Sequence, residues 1–390
     1  MKINVSVIVA GKFHSFYLAE QLQKEKMLLS LITSYPTFLV RKNNIEKKNI
    51  ISLPFKEIIE RIFIKLKLSK FLKYLYYYLN FIFEISASKK IDIKNTDIVV
   101  GWSGCVEKTF MKINKNNKKV IKLLERGSSH ILYQNKILAE EYDLFSYKKN
   151  PIDPKIIQKE IREYNLADYI VVPSEFAKRS FIDHGINKNK ILKIPYGVNL
   201  KQFNRSFLKN KEFTIICVGT VSLRKGSYYL MKAFKELNLT NSKLIFVGTI
   251  DPEIQQIIKP FVNDSNINFI GHVSQNRLKE FYSTSHISVI CSIEEGMAMV
   301  QAQAMASGVP LICTTNSGGE DIVDENVNGF ICPIRDVEYL KEKISFFYNN
   351  RNILKLFSDN AYNKAQNFLS WDNYGKRVSE EYKKLATKHL

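Results

Sequence analysis

Cysteine is scarce and odd in number, five in 390 residues. No two cysteines form a Cys-x-x-Cys pair and no His-rich spacing accompanies them, which leaves out a zinc framework and a disulfide scaffold. Cys217, Cys291, Cys313 and Cys332 sit in or beside apolar runs, and Cys105 follows a glycine. That pattern reads as free thiols buried in a reducing cytoplasm. No Asp-x-Asp offers a metal-ligand pair, so no metal and no cofactor is expected. The opening MKINVSVIVAG is strand-like, with one lysine ahead of it and no small-residue cleavage site behind it, so no secretory leader is expected. Short-period repeats and low-complexity tails are missing. So are helix-turn-helix, zinc and RNA-recognition signatures, and no nucleic acid partner is expected.

What is present is a globular composition, 45% hydrophobic and 25% charged, in a chain long enough for two domains. The net charge is +20 and it is unevenly spread. Residues 1–200 carry 35 Lys/Arg against 19 Asp/Glu, while residues 201–390 carry 23 against 19. A basic first half favours anionic partners such as phosphates or acidic lipid.

Short, continuous, β-branched runs recur with helical patterns between them. The first half gives INVSVIVA (3–10), DIVVGW (97–102), VIKLL (120–124), YIVVPS (169–174) and ILKIP (191–195). The second half gives FTIICVGT (213–220), KLIFVGT (243–249), INFIGHV (267–273), ISVICS (287–292), VPLICTT (309–315) and GFICP (329–333). Runs without alternation are how strands buried on both faces read, and their alternation with helices predicts an α/β fold of parallel sheets. The polar stretch over 203–212 predicts a linker, so two doubly wound, Rossmann-like domains are expected to face each other across a cleft, with ligands at the carboxyl ends of the strands.

Residues 54–85 break the pattern. Leu68, Leu72, Leu75, Leu79 and Ile82 step by four and three and predict one apolar helical stripe, with Lys65, Lys67, Lys70 and Lys73 on neighbouring faces. Lys73, Asn80 and Glu84 interrupt it too often for a membrane span. Two readings remain: an interfacial helix on an anionic membrane, or a core-facing helix with a lysine-rich solvent side.

Two stretches carry chemistry. In VGTVSLRKGSYYL (218–230) a strand ends, Gly219 permits a turn, and Arg224-Lys225 stands before a helix whose free N–H groups and dipole suit a diphosphate. In IEEGMAMVQAQAMASGVPLICTTNSGGEDIV (293–323), Glu295-Gly296 follows a strand end, position 303 lies two turns into a small-residue helix, and Gly318-Gly319 follows the next strand. A carboxylate there accepts hydrogen bonds from sugar hydroxyls, and a polar residue eight positions on reaches a ribose. The alternative is that Glu294 and Glu295 are ordinary acids at a helix start.

With GKFHSFYLAEQL near the start, ADYIVVPSEFAKRSFIDHGINKNKILKIPYGVN (167–199) and the segment from Phe368 through Ser370-Trp371 to Tyr382, these stretches resemble the retaining glycosyltransferases of family 4, over nearly the whole chain. The resemblance implies a GT-B fold: an acceptor-binding domain over 1–205, a nucleotide-sugar domain over 206–372, and a helix over 373–390 that returns to the first domain. It places Glu295 on the donor sugar and Gln303, where the family has Glu, on the donor ribose. Arg224 and Lys225 fall on the diphosphate, with Thr220 standing where members often have a further Arg. Gly11, Gly219, Gly296 and Gly319 fall at close approaches, the backbone of Met297, Ala298, Met299 and Val300 along sugar and phosphates, and His272-Val273 beside the base. On the acceptor side it points to His130 as an active-site residue, with Glu125, Arg126 and His14 as polar neighbours. The implied partners are a nucleotide sugar and a glycan or lipid-linked acceptor in surface polysaccharide or lipopolysaccharide synthesis. The implied setting is cytoplasmic, peripheral on the inner membrane face through 54–85. Alternatives are a catalytically silent nucleotide-sugar binder and a sugar-nucleotide epimerase on the same fold.

Overall fold

The computed structural model describes residues 2–116, 118–203, 205 and 211–389, without the side chains of residues 69, 70, 73 and 74. Seven parallel strands form the first sheet: β1 Val5–Val9, β2 Leu28–Thr33, β3 Ile50–Ser52, β4 Ile98–Trp102, β5 Ile121–Glu125, β6 Tyr169–Val172 and β7 Ile191–Lys193, in the order β3-β2-β1-β4-β5-β6-β7. Six more form the second: β8 Phe213–Val218, β9 Ser242–Val247, β10 Ile267–Gly271, β11 Ile287–Ile290, β12 Leu311–Thr314 and β13 Gly329–Cys332, in the order β10-β9-β8-β11-β12-β13. Helices cover both sheets, which is why β1, β4, β5 and β6 are buried along their whole length. The α/β, doubly wound expectation holds for both halves.

Two strands escaped the sequence reading. β2 (LLSLIT) contains Ser30, whose hydroxyl bonds Ser6 at 3.1 Å, and Ser6 in turn pairs with Thr96 at 2.8 Å. A buried hydroxyl chain thus replaces an unbroken apolar run. β3 is three half-buried residues at the sheet edge. The single stripe expected over 54–85 is also corrected. Two helices, Phe55–Lys65 and Ser69–Lys90, are separated by a turn in which Lys67 has φ 57°. Leu79 is buried, but Leu68 and Ile82 are exposed, so the five residues do not share one buried face. Lys70 and Lys73 lie outside the described side chains, as does most of the expected linker over 203–212.

The halves are joined by more than a linker. Helix Ile131–Leu144 follows β5, yet its Ile137 and Leu138 pack into the core of the second sheet. Its Glu141 accepts from Arg335 at 2.7 Å and its Tyr142 donates to Glu253 at 2.8 Å. The last helix, Trp371–His389, packs on helix Ser15–Lys24, with Trp371 stacked on Tyr17 and Lys24 bonded to Asp372 at 2.8 Å.

Candidate active site

The carboxyl ends of β1, β4, β5, β8 and β11 face one cavity of about 550 Å³, lined from both halves of the chain. The first half contributes Phe13, His14, Trp102, Arg126 and Ser128, and the second Gly219, Arg224, Lys225, Glu295 and the run Met297–Val300. A larger cavity of about 700 Å³ opens at the opposite edge of the first sheet, beside the starts of β5 and β6. It holds none of the residues placed at strand ends, and ligands of such sheets bind at the carboxyl edge.

The loop after β8 delivers the two cations. Helix Ser227–Leu237 begins directly behind them, and its N-cap is Gly226 at φ 62°. A Cβ there would lie 2.0 Å from the Cys291 carbonyl oxygen, so both the conformation and the contact require glycine. Arg224 donates to Glu294 at 3.1 Å and lies 3.5 Å from Glu295, while Lys225 pairs with Glu295. Burial pushes the Glu295 carboxyl up, but Lys225 and Arg224 outweigh it and hold it below the usual carboxylate range. The helix Met299–Ala306 turns its N-terminus to the same cavity. Free N–H groups and two cations therefore converge where negative charge can be held.

Glu294 is the residue that sequence reasoning undervalued. It is fully buried and accepts from Ser129 N at 3.1 Å, Ser129 Oγ at 2.7 Å, Gln134 Nε2 at 2.8 Å and Ser128 Oγ, besides Arg224. Burial raises its pKa, but Arg224 and the serine hydrogen bonds prevail and hold it at about 2. This carboxylate ties the loop after β5 to the loop after β8. Beside it, Gly296 is pressed so close to the first half that a Cβ would meet the Gly127 carbonyl oxygen at 2.3 Å. The signal was an acid doubled next to a glycine, which a helix-start reading absorbs equally well.

The two expected histidines lie in different surroundings. His130 is the N-cap of helix Ile131–Leu144, accepting from Leu132 N at 3.3 Å, and it stacks on His184 at 4.5 Å among Tyr164 and Phe181. Burial, then His184 and Arg126, push its pKa down to about 3, so it is neutral and caps a helix; it does not line the cleft. His14 does line it. Its ring lies 4.2 Å from Tyr196 and 4.9 Å from Trp102, and Nε2 is 3.3 Å from Glu125, an ion-pair distance without hydrogen-bond geometry. Glu125 lies beneath His14, and Arg126 lines the cavity while held by Glu160 at 3.1 Å and Gln134 at 2.8 Å.

The remaining expected residues are placed as follows. Gly219 and Met297–Val300 line the cavity, and Gly11 lines a side chamber next to it. Gln303 is buried behind the helix N-terminus, its Oε1 without a partner among the described residues. Gly319 packs against Cys313, and His272 and Val273 follow β10 outside the cavity lining. Among the described residues no cluster of His, Cys, Asp or Glu has metal-binding geometry. No described helix is long and apolar enough to cross a membrane.

Comparison with known proteins fits this geometry. Residues 199–364 match the family model described as glycosyl transferases group 1. The match lies within the second half of the chain and takes in the strands and loops that carry Arg224, Lys225, Glu295 and Gln303. The capsular polysaccharide biosynthesis glycosyltransferase CapM of Staphylococcus aureus is 28% identical over 220 residues, 52% of this chain and 57% of CapM. The chain spans about half to 60% of the length of several curated relatives that it matches. Among solved structures, sucrose-phosphate synthase from Thermosynechococcus elongatus superposes with TM-score 0.74 at 17% identity, covering 99% of this chain and all of that one. Anabaena Alr3699/HepE in complex with UDP and glucose gives TM-score 0.69 at 13% identity, over 98% and 99% of the two chains. The fold is GT-B.

Proposed function

We propose that this chain is a retaining glycosyltransferase of family 4, transferring a hexose from a nucleoside diphosphate sugar to a glycan or lipid-linked glycan acceptor. The observation that carries the reading is the cleft itself: Arg224, Lys225 and the N-terminus of helix Met299–Ala306 on one wall, Glu295 among them, and His14 opposite. The hard step in such a transfer is departure of the diphosphate as charge builds on it. Pre-placed cations and N–H dipoles stabilise that charge without reorganising. Lys225 and Glu295 hold each other on the cleft wall. An arriving diphosphate draws Lys225 and Arg224 to itself, which releases Glu295 to accept from sugar hydroxyls. Gln303 stands about one helical turn behind the Met299 N-terminus and reaches the ribose as the cleft closes. His14 sits where the acceptor and the reacting carbon meet. Retention follows from front-side departure, the leaving oxygen taking the acceptor proton, which needs no protein nucleophile.

The name of CapM supports synthesis of a surface polysaccharide. Membrane contact is part of the proposal. Ile58, Ile62, Ile64, Leu66 and Phe71 are exposed on the two helices of 54–85, next to Lys65 and Lys67. Apolar side chains ringed by lysine suit the surface of an anionic bilayer. The domain ranges 1–205, 206–372 and 373–390 are the working division for this reading.

A thermal-shift screen of nucleotide sugars tests the function. A donor at a hundred times its Kd stabilises the fold by about 2.7 kcal/mol. Transfer or slow hydrolysis of the stabilising donor, with the anomeric configuration kept, is the expected result. Stabilisation without turnover would favour the silent binder, and an altered sugar on the recovered nucleotide would favour the epimerase.

A further inference from the structure

The cavity of about 700 Å³ at the amino edge of the first sheet lies outside the cleft and has no part in the glycosyl-transfer reading. Its volume falls in the range of small-molecule sites, about 300–1,000 Å³. The end of helix Glu107–Asn114, the loops leading into β5, β6 and β7, and the last turn of helix Trp371–His389 enclose it.

Its charge is one-sided. Lys118, Lys119, Lys122, Lys190 and Lys388 line it, against the carboxylate of Asp168. Two of these lysines are matched: Lys122 pairs with Asp168 at 3.1 Å, and Lys118 with Asp97, outside the lining, at 3.1 Å. The other three are not. Lys119 and Lys388 are exposed and have no ion pair or hydrogen bond among the described residues. Lys190 is half-buried, and its Nζ donates to the Tyr164 carbonyl at 2.7 Å without a carboxylate of its own. Burial pushes its ammonium below the ordinary lysine range, with Asp168 opposing the shift and Lys122 adding to it. An anion arriving beside Lys190 relieves that cost.

Neutral groups complete the wall. Asn187 and Asn189 line the same cavity, and their side-chain N–H groups have no partner among the described residues. Ammonium and amide N–H groups are donors without acceptor capacity, the set that phosphate oxygens require. The apolar lining residues Ile113, Val120, Ile121 and Tyr169 are all buried, so the lining presents no large apolar side chain to the core of a bilayer. That favours a soluble ligand over a membrane surface.

We propose that this cavity binds a soluble, multiply charged phosphate anion, with Lys119, Lys190 and Lys388 on its oxygens and the amides of Asn187 and Asn189 beside them. The inference is independent of the donor reading. It also gives a use to part of the positive charge that the sequence gathers in its first half.

Calorimetric titration with tripolyphosphate tests it, at about 50 mM salt so that screening stays modest. The titrated protein carries Arg224→Gln and Lys225→Gln, which removes the cleft cations as a second place for the probe; should that pair unfold the chain, Lys225→Gln alone replaces it. Thermal unfolding of each variant reports folding. Tripolyphosphate binds this cleft variant with a Kd below about 1 mM. Adding Lys119→Gln with Lys388→Gln weakens it at least about tenfold, the worth of one hydrogen bond to a charged group. Removing the same charge elsewhere, by Lys259→Gln with Lys355→Gln at two exposed positions, changes it less than about twofold. Equal weakening by the two lysine pairs would mean general attraction to a basic protein and overturns the proposal. Phosphatidylglycerol vesicles supply the other source of phosphate: flotation that Lys119→Gln with Lys388→Gln abolishes, without tripolyphosphate binding, overturns it in favour of a lipid headgroup. Absence of any tripolyphosphate binding to the cleft variant also overturns it and leaves the donor reading intact, because that reading stands or falls on UDP binding to the wild type.

Discussion

Replacing Glu294 with alanine is expected to damage the protein more than any other single change at the cleft. Five donors converge on that carboxylate: Ser128 Oγ, Ser129 N, Ser129 Oγ, Gln134 Nε2 and Arg224 Nε. Removing it leaves a guanidinium without its nearest anion and several buried groups without acceptors. Breaking a buried pair from one side costs about 3–5 kcal/mol. Glu295, 3.5 Å from Arg224, offsets part of that, so the expected loss is about 3 kcal/mol. Urea unfolding measures it. The pH dependence gives a second handle. The folded pKa, about 2, lies below the ordinary 4.5. A depressed carboxylate contributes stability above its unfolded pKa and loses it as pH falls through its folded one. The contribution, about 3 kcal/mol at one pKa unit per 1.36 kcal/mol, is therefore present above pH 4.5 and fades toward pH 2, a slope that Glu294→Gln removes. A loss below about 1 kcal/mol in Glu294→Ala, with an unchanged acid slope, would refute the view of Glu294 as the tie between the two halves.

Lys225→Ala should weaken UDP binding by about 10–100-fold by calorimetry, the worth of one charge-assisted bond, and nearer the lower figure because Lys225 must first leave Glu295. His14→Ala should lower turnover about a hundredfold, while His130→Asn, which keeps a helix-capping acceptor, should leave turnover near wild type; the reverse order would restore the histidine expected from sequence. Lys65→Glu combined with Lys67→Glu should abolish flotation with anionic liposomes, and equal flotation of variant and wild type removes the membrane contact.

Much of this was legible in the residues, for a physical reason. Strands buried on both faces are largely apolar, so β1, β4 to β6, β8, β9 and β11 to β13 announce themselves, and the short apolar runs of the partly exposed β7 and β10 were legible too. β2 and β3 did not, because one hides a serine ladder and the other is a three-residue edge. Arg224, Lys225, Glu295 and Met297–Val300 were legible because a glycine turn before a helix start is a local pattern, and the structure gathers them on one cavity. Glu294, Tyr196 and Phe13 were not. Their roles depend on partners far along the chain, such as Ser128 for Glu294 and His14 for Tyr196, or on a backbone angle that sequence does not display. That His14 lines the cavity and His130 does not was hidden for a related reason. Proximity to the end of β5 favoured His130, whereas the first turn after β1 brings His14 across the sheet to the same strand end.

The central claim is that the interdomain cleft holds a diphosphate on Arg224 and Lys225. A crystal structure with UDP tests it most directly. The account predicts phosphate oxygens within about 3 Å of the Arg224 guanidinium and the Lys225 ammonium, with the Lys225–Glu295 pair opened. UDP bound elsewhere, or bound in the cleft with that pair intact and both cations turned away, would contradict it.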